Sequence, residues 1–67
     1  MNEDIIKGKW QEIKGSVQQR WGKITDDDIA TINGSREKLA GTIQKNYGLA
    51  RDEAEKQLKD WENEYSR

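Results

Sequence analysis

Apolar residues never occur more than two in a row in this chain, and their spacing is that of a helix from end to end. Ile6, Trp10, Ile13, Val17 and Trp21 follow one another at steps of 4, 3, 4 and 4, which places them on one stripe of a helix. Asn2 fits its N-cap, Glu3 and Asp4 suit its first turn, and Gly22 fits a left-handed residue just past its end. Thr25 then caps a short helix carrying Ile29 and Ile32, which Asn33-Gly34 stops. Ser35 caps a third helix with Leu39, Ile43 and Tyr47 on one face, closed by Gly48. Ala54, Leu58, Trp61 and Tyr65, at steps of 4, 3 and 4, mark the fourth. On that fourth helix Asp52 and Lys56, and Glu55 and Lys59, stand in the favourable i,i+4 order. The pattern predicts an all-α domain over 1–67 made of four short helices, the second the shortest. They form two packed helical hairpins over about 3–33 and 35–65.

Two segments repeat. Residues 13–22 read IKGSVQQRWG and residues 39–48 read LAGTIQKNYG, the same phrase at an offset of 26. Two copies are too few for a solenoid. They fit a duplicated hairpin in which neither copy buries its stripe alone, so the two face each other.

The glycines fall into two classes. Gly22, Gly34 and Gly48 stand at helix ends, where the backbone has a use for them. Gly8, Gly15 and Gly41 fall within the predicted helices. Gly15 and Gly41 lie on the side away from the apolar stripe, so close approach of core helices does not account for them. Each costs about 1 kcal/mol relative to Ala. Either they are tolerated on the solvent side as a trace of the duplication, or they hold the helices near the folding threshold, or, as a lesser third use, they let another chain's backbone approach the back face.

Composition sharpens the second possibility. Hydrophobic residues make up 31% of the 67 residues and charged residues 37%, close to the balance at which chains fail to fold. Three Trp and two Tyr pull the other way. A marginally stable domain, or one helped by weak self-association, is expected. With no Cys and no His, thiolate chemistry and the commonest general base and metal ligand are absent. No run is long enough for a membrane span or a secretory h-region, which points to a cytoplasmic protein. Asp26-Asp27-Asp28 is the densest carboxylate cluster. Three consecutive acids behind Thr25 match a helix N-terminus better than a calcium loop, whose ligands are spread over about twelve residues. No phosphate-binding or nucleophile motif is present, and four short helices offer little concavity, so neither an enzyme nor a cofactor is expected.

The net charge of −1 disfavours nucleic acid, although the first 25 residues hold five basic residues against three acidic ones. Trp10 and Trp21 lie on the apolar stripe and read as core rather than as stacking platforms. The candidate contact sites for a nucleic-acid or protein partner are the two hairpin tips. These are Gly22-Lys23-Ile24-Thr25 and Gly48-Leu49-Ala50-Arg51, where a turn runs into a helix N-terminus and backbone N–H groups are available to an anion. Gly22, Lys23, Thr25, Gly48 and Arg51 are the residues named for that role, with the three aspartates opposing a phosphate at the first tip.

The stretch KGKWQEIKGSVQQRWGKITDDD, with a Gly-centred break and then LAGTIQKNYGLARDEAEKQLKDW, resembles the CsbD-like family of small bacterial proteins from about Asp4 to Glu62. Ser35 after Gly34, and Ala50 before the last helix, depart from the usual pattern. The resemblance implies a four-helix fold akin to the SAM-domain-like group. It also implies an abundant protein of the bacterial general stress response, with no established molecular activity and no catalytic or ligand residues to carry over. The expectation for function is a non-enzymatic stress-response protein, acting as a hydrophilic protectant or weak interaction module. The alternative is a nucleic-acid- or protein-binding module working through the two tips.

Overall fold

The computed structural model describes residues 3–65, so Asn2, the cap expected for the first helix, lies outside the described residues. The described chain is helical, in the order α1 (Glu3–Gly8), α2 (Trp10–Arg20), α3 (Asp26–Ile32), α4 (Arg36–Tyr47) and α5 (Arg51–Tyr65). There are thus five helices rather than four, because the first predicted helix breaks at Lys9 (φ −112°, ψ 15°). The break falls beside Gly8, the weakest helix former in that stretch. Ile6 and Trp10 on either side are both buried, so the apolar stripe survives the break. The Lys9 carbonyl then accepts from the amides of Glu12 and Ile13 and starts α2.

The remaining boundaries follow local chemistry. Thr25 caps α3 through a full capping box: Thr25 Oγ1 accepts from the Asp28 amide at 3.1 Å and Asp28 Oδ2 accepts from the Thr25 amide at 3.2 Å. Ser35 Oγ accepts from the Lys38 amide at 3.2 Å and caps α4. Gly48 closes α4 in the left-handed conformation, φ 66°. Gly22 does not do the same for α2. Its φ is not positive, and the helix ends instead on Trp21 (φ −124°, ψ 83°), from where a turn closed by the Ile24 amide on the Trp21 carbonyl buries both side chains.

Helix α4 occupies the middle, against α5, α3 and α1. The buried set joins all five helices and contains the predicted stripe residues Ile6, Trp10, Ile13, Val17, Trp21, Leu39, Ile43, Ala54, Leu58 and Trp61, together with Ile29 and Ile32. Ile24 and Ala40 belong to it as well. Two indoles tie α2 to α5. Trp21 Nε1 donates to Gln57 Oε1 and Trp61 Nε1 to Ser16 Oγ, both at 3.1 Å, and the two rings lie 5.9 Å apart at 56°. Tyr65 stacks on Trp61 at 5.5 Å from the more exposed side.

Between α4 and α5 lies a partly buried ion cluster. Arg36 donates through Nε and Nη2 to Glu62 Oε1 at 3.1 and 2.9 Å, and through Nη1 to Glu55 Oε2 at 2.9 Å. The Glu62 side chain is 3% exposed. Arg51 reaches the other Glu55 oxygen at 3.1 Å. Glu55 therefore faces Arg36 and Arg51, one partner from across the helix pair and one from its own helix.

Candidate partner-contact site at the two turns

The first turn leaves α2 at Trp21 and is held from both sides. Gln18, on the last turn of α2, donates to the Ile24 carbonyl at 3.3 Å and to Asp26 Oδ1 at 3.0 Å. From the other side comes the C-terminal end of α4. The Tyr47 hydroxyl accepts from the Lys23 amide at 3.1 Å, and Asn46 Nδ2 donates to the Lys23 carbonyl at 3.2 Å and to Asp28 Oδ2 at 3.0 Å. The Lys23 ammonium stands over the Tyr47 ring, 5.1 Å from its centre. The hydrogen bond from Asn46, and then that from the Thr25 amide, hold the Asp28 carboxyl below its ordinary value.

The second turn begins at Gly48, directly after Tyr47. The amides of Gly48 and Leu49 both donate to the Gln44 carbonyl, and Leu49 packs against the core. The Ala50 carbonyl starts α5 by accepting from the Ala54 amide. Arg51 is about half exposed and pairs with Glu55. Through Tyr47, then, the fold brings Lys23 and Gly48, two of the residues singled out in the sequence, to the same end of the molecule.

At the first turn the amides of Lys23, Ile24 and Thr25 are donated to Tyr47, Trp21 and Asp28 respectively. Lys23 and Arg51 are both exposed, and so are Asp26 and Asp27, which follow Lys23 closely in the chain. The roles of Asn46 and Tyr47 in holding this turn were not legible locally. The repeat offered the one signal, because Tyr47 stands where the first copy has Trp21, yet Tyr carries a hydroxyl that Trp does not.

Other concave or charged places are shallow. An open groove of about 360 Å³ between α2 and α3 is bordered by Trp10, Lys14, Gln18, Asp26, Ile29 and Asn33. Among the described residues no group of three or more Asp, Glu, His or Cys side chains is arranged to hold a metal ion, and no helix is long and apolar enough to cross a membrane.

The all-helical fold and the doubled Gly-containing phrase agree with the resemblance read from the sequence, though with five helices in place of four, and the profile of the CsbD-like family matches residues 4–56. The chain belongs to the CsbD-like family. Its relatives include the UPF0337 protein YjbJ of Escherichia coli (strain K12), 51% identical over 67 residues that cover 97% of each chain. A UPF0337 protein of Protochlamydia amoebophila is 46% identical over 65 residues, covering 97% of this chain and 98% of that one. A third, from Pectobacterium atrosepticum, is 45% identical over 65 residues, covering 97% and 94%. No solved structure matches this CsbD-like chain at a significant level.

Proposed function

We propose that this CsbD-like protein is a non-enzymatic component of the bacterial stress response that works in the cytoplasm as a hydrated protectant or weak interaction module. The observation that carries this reading is the pair of glycines inside helices α2 and α4. A Cβ built at Gly15 or at Gly41 meets nothing within 4 Å, so no packing demand keeps either residue a glycine. Each lowers helix stability by about 1 kcal/mol in a domain with a small core and a heavily charged surface. A chain kept close to its folding threshold, with charge distributed over its exterior, suits reversible ordering and non-specific shielding of other proteins. The test is protection of a labile client enzyme during drying or heating, compared with an equal mass of an inert protein. Recovery of client activity no better than with the inert protein refutes the proposal.

A second reading, a binding module for a nucleic acid or a protein, is favoured by the convergence of the two turns at one end, with the Lys23 and Arg51 side chains exposed there. Its test is the double variant Lys23→Glu, Arg51→Glu in a binding assay at low salt. Binding that survives the double charge reversal removes this reading.

A further inference from the structure

The turn between α3 and α4 carries an Asn-Gly pair in an unusual conformation. Asn33 is exposed and left-handed, at φ 43° and ψ 45°, and Gly34 follows at φ 85°. Gly34 is itself buried, and a Cβ there would stand 3.0 Å from the Lys7 Cα of α1. The pair is therefore chemically exposed on one side and tightly packed on the other.

An asparagine followed by glycine has a reaction open to it that needs only water. The Gly34 amide nitrogen attacks Asn33 Cγ; the new N–Cγ bond forms as the Cγ–Nδ2 bond breaks. The side-chain nitrogen leaves as ammonia, taking the proton that the Gly34 amide gives up, and a five-membered succinimide remains. Water then opens the ring. Cleavage at Cγ returns a normal chain with aspartate at this position, whereas cleavage at the main-chain carbonyl leaves isoaspartate, with the backbone running through Cβ and Cγ. No oxidant or reductant is involved. Glycine favours the attack because no side chain shields its nitrogen.

The fold opposes this reaction. Closing the ring eclipses Cβ with the attacking nitrogen about the Cα–C bond, which tetrahedral geometry places at ψ of about −120° for an L-residue. Asn33 sits roughly 165° from that angle. Local rotation is blocked, because Asn33 caps α3 through its amide on the Ile29 carbonyl, Ser35 closes the turn on the Ile32 carbonyl at 2.8 Å, and α1 lies against Gly34. We propose that Asn33–Gly34 is a modification site gated by unfolding: the amide converts to aspartate and isoaspartate when the α3–α4 turn opens, and is protected while it is closed. An isoaspartate adds a methylene to the backbone at the point where α1 leaves no spare room. Converted chains therefore lose the packing of α1 on this turn, and each conversion records an opening that cannot be fully reversed.

The experiment incubates the full-length protein in mildly alkaline buffer, folded by the dispersion of its amide spectrum, and in parallel in guanidinium chloride. Brief tryptic digestion at mildly acidic pH then releases residues 24–36, a peptide whose one side-chain amide is Asn33, and mass spectrometry with chromatographic separation counts its aspartate and isoaspartate forms. The peptides 46–51 and 60–67, carrying Asn46 before Tyr and Asn63 before Glu, serve as internal references. The expected result is conversion of 24–36 at least about tenfold faster in the unfolded chain than in the folded one, since the native rate is the unfolded rate scaled by the open fraction. In guanidinium it should also outpace both reference peptides, with isoaspartate in excess and with loss of the difference in Gly34→Ala, a comparison that does not require the variant to fold. Equal rates in the two buffers overturn the gate. Conversion of 24–36 no faster than that of the reference peptides in the unfolded chain overturns the site.

Discussion

Glycines behave oppositely at different places in this molecule because of what surrounds them. Gly34 has φ 85° and faces the Lys7 backbone, so Gly34→Ala adds both a strained conformation and a contact at 3.0 Å that has to give way. The expected loss is roughly 1–3 kcal/mol, read as a lower urea midpoint. Gly15 and Gly41 have right-handed helical backbones and open space. Gly15→Ala and Gly41→Ala should each raise stability by about 0.4–1 kcal/mol, by lowering the entropy of the unfolded chain. A thermal melt of the double variant checks this, and the same variant tests the functional proposal, because weaker client protection by a more stable protein is what conditional ordering requires.

Among the elements, α3 is the most dependent on its cap. It has seven residues, far short of independent helix stability, and three carboxylates in its first turn complement the dipole without adding packing. Thr25→Ala removes the hydroxyl that accepts from the Asp28 amide and should lower stability by about 1 kcal/mol, measured by chemical denaturation. The same change leaves Asp28 Oδ2 its bonds from the backbone amide at position 25 and from Asn46 but loosens the first turn of α3, so amide shifts should spread from α3 to the C-terminal end of α4. By contrast α5, at fifteen residues the longest helix, begins at Arg51 with Ala50 before it and takes its position from Leu58, Trp61 and the Arg36 cluster rather than from a cap.

For the whole molecule, the clamp between α4 and α5 is the main electrostatic feature. Arg36→Met withdraws the guanidinium from Glu55 and from the buried Glu62 and should reduce stability by roughly 2–4 kcal/mol. The hydrogen bond from Arg36, assisted by the charges of Arg36 and Arg51, holds the Glu55 carboxyl below its ordinary value of 4.5. A carboxyl whose folded value is depressed contributes stability above its unfolded value, and that contribution disappears as pH falls through the folded one. The urea midpoint should therefore decline as pH is lowered from about 5, with Asp28 acting in the same direction from its own depressed value. In Glu55→Gln the decline should be shallower, because one of the titrating groups is gone.

Much of this architecture was legible from local pattern. The stripe Ile6 to Trp21, the faces of the third and fourth predicted helices, the caps at Thr25 and Ser35, and the stops at Asn33-Gly34 and Gly48 all involve residues within one or two helical turns of one another. At that range periodicity and capping chemistry act before any tertiary contact exists, and the doubled phrase carried the family with them. Even the buried Glu62 follows Leu58 by four, on the edge of the α5 stripe, though a carboxylate there reads as solvated until its partner is known. The break at Lys9 was a different matter, because a continuous helix and two short ones share the same apolar spacing, and the packing of α1 on Gly34 and α4 separates them. The same holds for the Trp21–Gln57 and Trp61–Ser16 bonds, for Arg36 with its two glutamates, and for the docking of the first turn on Asn46 and Tyr47. Those partners lie between eighteen and forty-five residues apart in sequence, so they exist only where the helices come to rest against one another. The chain by itself determined its helical faces, the caps of α3 and α4, and its family. The tertiary structure decided which polar side chains meet, because a hydrogen bond is satisfied over about 3 Å whereas the order of residues along a chain places no two distant helices to that accuracy.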